Sequence, residues 1–294
     1  DEVCKKIFMG EFKDVKERDD LYRKATTMGV NESIRLWVVT VKNIFPAKAE
    51  ITGITGDLAS GPRGIWALRE AYIPGKRELT VGHLWVWTER TTWNPVGGFT
   101  DVYSVDIWRN IYDPPMWRHP FTGQPMPFRV DYKVETAGPA GRLSVPETAF
   151  FWDSGMKKWS EVEMGTQAKS KVTFNYAKYI NSKWHHGQPI KMADILYALY
   201  QAFDLAYDPD KSKIEFALAT TSRPYLDTFR GFNIVNSTAL EVYVDYWHFV
   251  SDYIAEYAHP FGVSTPWEIL AAMDTLVFEK RMAAYSDTAA ERFR

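Results

Sequence analysis

Between residues 171 and 203 the hydrophobic repeat of this chain changes period across one short turn. In KVTFNYAKYI (171–180), Val172, Phe174 and Tyr176 alternate with more polar neighbours, the period-two pattern of a half-buried strand. Beyond the turn, Ile195, Leu199 and Phe203 recur four apart. Met192, Leu196 and Tyr200 widen that stripe into the apolar face of a helix. A strand with one face to bury, followed at once by a helix with a stripe to bury, calls for a fold that uses both.

The rest of the chain continues the mixture. Leu21, Ala25 and Met28 predict a helix over 15–28 with Gly29 as its stop, and SIRLWVVTV (33–41) reads as a strand. A second strand is expected over 79–87, and an amphipathic helix over 99–113 with Tyr103, Ile107 and Ile111 on one side. Five prolines in 113–127 demand an extended, turn-rich segment. A third strand, 237–246, places Leu240, Val242 and Val244 on one face. After it, Thr265 as N-cap, Pro266 at the first helical position and Glu268 form a capping box, opening a helix to about Ala284. There is no regular strand–helix beat of a doubly wound sheet, so the expected class is mixed α/β.

The turn at 184–189 holds two adjacent histidines, His185 and His186. Adjacent residues of an extended backbone point to opposite faces, so the pair is poorly placed to share an ion. The other four histidines show no His-Glu-x-x-His or His-x-His spacing. A single cysteine, Cys4, excludes an intramolecular disulfide and any multi-cysteine metal site. No metal and no cofactor are expected, and the histidine pair reads as part of a tight turn made by Gly187 and closed by Pro189. The glycines at 53, 56, 61 and 64 lack the Gly-Lys-Ser/Thr of a phosphate loop and mark a plain loop.

Charge narrows the partners. The 35 basic and 37 acidic residues nearly cancel, with no basic tract, which argues against nucleic acid. No apolar run reaches the ~18 residues of a membrane helix, and DEVCKKIFMG has no signal-peptide apolar stretch. The opening residues read like the middle of a chain. Aromatic residues make up 15% of the sequence, enough for a large core and equally for an aromatic-lined cleft.

The strand followed by KWHHGQPIKMADILYAL resembles the signature of the family 5 extracellular solute-binding proteins of ABC importers, which bind oligopeptides, nickel or oligosaccharides. TFNYAKYINSKW supplies the strand, Trp184 and His185 the aromatic–His pair, Gly187 and Pro189 the turn, and Asp194 the aspartate at the helix start. There are two departures. His186 stands where the family usually has Asp, and Lys191 where it has the helix-capping Thr. Loss of that cap costs about 1 kcal/mol unless Asp194 or a neighbour compensates. Residues 78–114 are similar to the family's opening strand, Asn–Pro loop and first helix, and 231–246 to the strand pair after the signature helix. Residues 17–69 resemble a segment that ordinarily lies near the family's C-terminus, so the chain is either an archaeal-type variant with a rearranged front or a joining of unlike pieces.

The resemblance implies a lobe of the type II periplasmic-binding-protein fold, with a mixed sheet, flanking helices and most of the second lobe absent. Residues 1–77 would be the lobe-crossing region and 78–294 the N-terminal lobe. It further implies an extracytoplasmic receptor that captures a peptide or oligosaccharide between two lobes and passes it to the permease subunits. Such a receptor is not an enzyme, and it would meet a membrane only through a signal or anchor outside this sequence. The family places ligand contacts after the opening strand, which nominates Trp87, Glu89, Trp93 and Tyr103. Each has a plainer reading: Trp87 as strand core, Trp93 as packing for the Asn94–Pro95 turn, Tyr103 as helix core, Glu89 as a solvated charge. Asn31 and Asn236 begin triplets that fit N-glycosylation, a weak pointer to export. The competing expectation is a secreted carbohydrate-active hydrolase, which needs two carboxylates about 5–9.5 Å apart across a cleft.

Overall fold

A computed structural model describes residues 2–293 apart from 34, 37, 40, 59, 84–93, 100, 260 and 261. The main sheet is built from β3 (Asp131–Thr136), β5 (Phe150–Asp153), β6 (Lys158–Glu161), β8 (Ser170–Asn175), β9 (Phe229–Asn236) and β10 (Ala239–Val244). Their order is β3-β8-β10-β9-β5-β6. Two small ribbons accompany it, β1 (Met116–Arg118) with β2 (Pro125–Pro127) and β4 (Leu143–Ser144) with β7 (Gln167–Ala168).

Register explains why these strands belong together. Val134 faces Val172, Val172 faces Val242, Val242 faces Phe232 and Phe232 faces Phe150, so one apolar row crosses five strands on a single face. Side chains alternate faces along a strand, so a slip of one residue in any pairing would turn its members of this row toward water. The opposite face carries charge. Lys171 Nζ lies 3.2 Å from Glu135 and 3.3 Å from Glu241, whose carboxylate also accepts from Asn233 and the Tyr243 hydroxyl.

The helices are α1 (Glu2–Phe8), α2 (Val15–Asn31), α3 (Ile65–Glu70), α4 (Val102–Ile111), α5 (Ala177–Ile180) and α6 (Met192–Tyr207). They continue as α7 (Lys211–Ile214), α8 (Phe216–Leu226), α9 (Ser251–Tyr257), α10 (Trp267–Asp274) and α11 (Asp287–Ala290). α6 lays Ile195, Leu199 and Phe203 on the apolar face, and Ile254 and Ala255 of α9 complete the cluster. The Phe203 ring meets Phe232 edge-on at 5.7 Å.

The class is the mixed α/β expected, and β8, α4, α6 and β10 fall where the hydrophobic periods put them. The proline-rich segment forms the β1–β2 ribbon. Other expectations are corrected. The large sheet is antiparallel at every pairing rather than mixed. The β5–β6 and β9–β10 neighbours are joined by short turns, which only antiparallel strands permit. α2 continues through Gly29 to Asn31, where Glu32 N–H donates back to Met28. A solvent-facing glycine costs a helix only about 1 kcal/mol and does not stop it. In 33–41 the described residues form no strand, and Leu36, Val38, Val39 and Val41 are exposed. The 79–87 strand lies outside the described residues from 84 onward, and 79–83 carry no regular structure.

The start of α10 is also not as read. Thr265 does not cap it; the Trp267 N–H donates to Asp194 Oδ1 at 2.9 Å. The other oxygen, Oδ2, accepts the Lys191 N–H at 2.7 Å. One buried carboxylate therefore accepts the N–H of Lys191 at the start of α6, the reciprocal half of a capping box, and the first-turn N–H of a second helix as well. α10 gives way to a wider π-type turn, Thr275–Glu279, so the helical run ends short of Ala284.

Candidate functional site

The N-terminus of α4 is set by Asp101, whose Oδ1 accepts the Tyr103 N–H at 3.0 Å and the Ser104 N–H at 2.8 Å. Burial acts to raise the Asp101 pKa, but the bonds from Ser104 and Tyr103 outweigh it and hold the carboxyl below the usual aspartate range. Tyr103 therefore projects from a fixed first turn. It is 39% exposed, with its ring edge-on to His83 at 5.9 Å, so it is not a core residue of its helix. Trp87, Glu89 and Trp93 lie outside the described residues.

A groove of about 590 Å³, whose lining does not include Tyr103, runs between the Val102–Arg109 face of α4 and the loop residues 43–63 that precede α3. Its charged wall is Arg63, Asp106 and Arg109: Arg63 Nε donates to Asp106 Oδ2 at 2.6 Å, and Arg109 Nη1 lies 3.5 Å from Oδ1. Arg63 also donates to the Val102 carbonyl, and Arg109 to the Arg63 carbonyl. The sequence reading missed this trio. Its only advance signal is the i,i+3 spacing of Asp106 and Arg109, because Arg63 arrives from 43 residues away.

A larger cleft, about 790 Å³, opens between α6, α8 and α9. Ala198 and Ala202 on α6 face Leu218, Ser222 and Tyr225 on α8 across it. The Ser222 hydroxyl is already committed to its own helix, donating to Leu218 O at 2.6 Å. Gln201, Thr221 and Glu256 of the same lining are likewise engaged, by Asp274, the Ala217 carbonyl and Arg118.

His185 and His186 are both exposed on a tight turn. Trp184 N–H donates to Gln188 O and Gly187 N–H to Trp184 O, each at 2.8 Å, with Gly187 at φ +91°. A side chain is strained at that φ, so the glycine is required. Lys183 and Pro189 then bridge, and Ile190 enters the core 5% exposed. The architectural reading of the stretch holds. Among the described residues no three His, Cys, Asp or Glu side chains gather as a metal site. None of the described helices is long and apolar enough to cross a membrane.

Behind α4, Asp113 ties three segments together, accepting from Arg69 at 2.7 Å and from Arg129 at 2.7 Å. Burial pushes its pKa up, but the bonds and charges of the two arginines more than reverse this and hold it below the ordinary value. A depressed folded pKa gives stability that is complete above the unfolded value near 3.9 and is lost as pH falls through the folded value. Asp113→Asn is therefore expected to flatten the acid limb of Tm against pH between about 5 and 2. An acid limb identical to the parent's would contradict this.

A scan against protein-family models matches none, and a search of curated proteins finds no similar sequence.

Proposed function

We propose that this chain is the ligand-gripping lobe of an extracytoplasmic solute-binding receptor of an ABC importer, taking an oligopeptide or oligosaccharide. It acts by binding, not by catalysis. The observation that carries the reading is the stretch from β8 to β10. A Tyr/Phe-rich strand runs into the aromatic–His–x–Gly–x–Pro turn, then into α6 headed by Asp194, and the β9–β10 pair returns beside β8 in the same sheet. That order matches the family resemblance drawn from the sequence, and both departures from the signature are accommodated. His186 lies on an exposed turn, and Asp194 still ties down the Lys191 N–H at the start of α6.

The chemistry suits the work. Aromatic side chains stack on sugar rings or peptide side chains with few rotamers to lose, and closure of two lobes removes most of the ligand from water. Tyr103, held by a capped helix and open to solvent, is the described residue best placed for such a contact. A separate groove on α4 carries the Arg63–Asp106–Arg109 wall, which offers charged groups for peptide termini or sugar hydroxyls. Delivery to the permease follows from the same reading.

Two results test it. A ligand at 100-fold its Kd adds about 2.7 kcal/mol of stability, so one panel of short peptides or oligosaccharides is expected to raise Tm by about 5 °C or more. No shift with either panel would count against the reading. Tyr103→Ala is expected to weaken the responding ligand by about tenfold while moving the ligand-free Tm by no more than about 2 °C. Equal affinity in the variant would remove Tyr103 from the site.

A further inference from the structure

Asn94 lies between Trp93 and Tyr103 in the chain, yet its side chain bonds to a residue 190 positions further on. It is 9% exposed, and its amide brackets one residue: Nδ2 donates to Ala284 O at 2.6 Å, and Oδ1 accepts the Ala284 N–H at 3.3 Å. Ala284 is fully buried, so without this amide both of its backbone groups would lack a partner away from water. The Pro95–Gly97 turn closes over the clamp. A Cβ on Gly97 would lie 2.7 Å from Asn94 Nδ2 and 3.4 Å from Ala284 O, so no larger residue fits without displacing it.

The next two residues are held from the other side. Glu215 is 0% exposed, and its Oε1 accepts the Tyr285 N–H at 2.7 Å. Its Oε2 accepts the Ser286 N–H at 3.1 Å and the Ser286 hydroxyl at 2.5 Å. No lysine or arginine pairs with it among the described residues. A buried carboxylate in such a place depends on its hydrogen-bond donors, and the donors are tied to it in return. Tyr285 is pinned a second time through its hydroxyl, which donates to Asp274 Oδ1 at 2.7 Å.

We propose that Glu215 is a positioning residue for the turn at 94–98. Acting through Ala284–Ser286, it fixes Asn94, and with Asn94 the Pro95–Gly97 turn. The purpose of that segment rests on the receptor reading; the mechanical linkage does not. With Glu215 altered, 284–286 loosens and the Asn94 clamp loosens with it, although the Glu215 carboxylate bonds only Tyr285 and Ser286 among the described residues.

The test is amide hydrogen exchange by mass spectrometry on the full chain, comparing the parent with Glu215→Gln and Asn94→Ala. The glutamine keeps the volume but turns one acceptor into a donor facing other donors. Exchange is expected to quicken by on the order of tenfold in peptides covering both 284–290 and 94–99, the population shift that loss of a charge-assisted hydrogen bond produces. Exchange across α6 is expected to stay within about twofold of the parent. Asn94→Ala is expected to quicken 94–99 and leave 287–290 unchanged. Acceleration confined to 284–290 in Glu215→Gln would overturn the proposal. Should that variant fail to fold, Ser286→Ala removes a single donor and allows the same comparison at smaller amplitude. No ligand enters the measurement, so its failure would leave the receptor reading standing, and failure to find a ligand would leave the linkage standing.

Discussion

Phe232→Ala is expected to lower the free energy of unfolding by about 4 kcal/mol, measured as a shift of the denaturation midpoint at constant slope. Phe232 is fully buried within the apolar row, opposite Val242 on one side and Phe150 on the other. Its ring also meets Phe203 at 5.7 Å and Phe229 at 5.8 Å, so truncation opens a void where sheet and α6 join. The surrounding rings cannot all collapse into that void, because each is fixed by its own strand or helix. Leu36→Ala offers the contrast. Leu36 is 85% exposed, and its removal is expected to change stability by no more than about 0.5 kcal/mol. A similar loss for both would mean that the core lies elsewhere.

Glu215→Ala is expected to cost about 3 kcal/mol, an effect that arises from polar groups rather than packing. Removing the carboxylate leaves the Tyr285 and Ser286 amides and the Ser286 hydroxyl without their acceptor. Each buried donor left unpaired costs about 1–3 kcal/mol, reduced where water reaches the half-buried segment. Glu215→Gln preserves one acceptor and is expected to lose about half as much. Equal losses in the two variants would point to shape rather than hydrogen bonding as the contribution of Glu215. Denaturant titration of both variants decides between them.

The parts of the fold that were legible in the sequence are those where burial falls on one face. β8, β10 and α6 each place a periodic set of side chains against the core, so the repeat in the chain is the repeat in space. The turn at Gly187 was legible for a different reason, because only local backbone geometry is needed there. Apolar alternation without a pairing partner misleads. The 33–41 segment has the composition of a strand, yet its described side chains stand in solvent.

Long-range polar bonds leave almost no mark on a one-dimensional pattern. Asp194 reaches α10 across 73 residues, Asn94 reaches Ala284 across 190, and Glu215 meets Tyr285 across 70. In each case the residue type is ordinary, and only the fold brings donor and acceptor together. The candidate site shows the same split. Tyr103 is nominated by the family resemblance, its amphipathic helix alone suggesting core, whereas Arg63 joins Asp106 and Arg109 only through tertiary packing.

The measurement that bears most directly on the receptor reading is a titration of tryptophan emission with short peptides and with β-linked oligosaccharides, followed by chromatography of the ligand recovered from each sample. The account predicts a saturable change with one of the two classes and ligand recovered intact. Cleaved ligand would contradict it and place the protein among hydrolases.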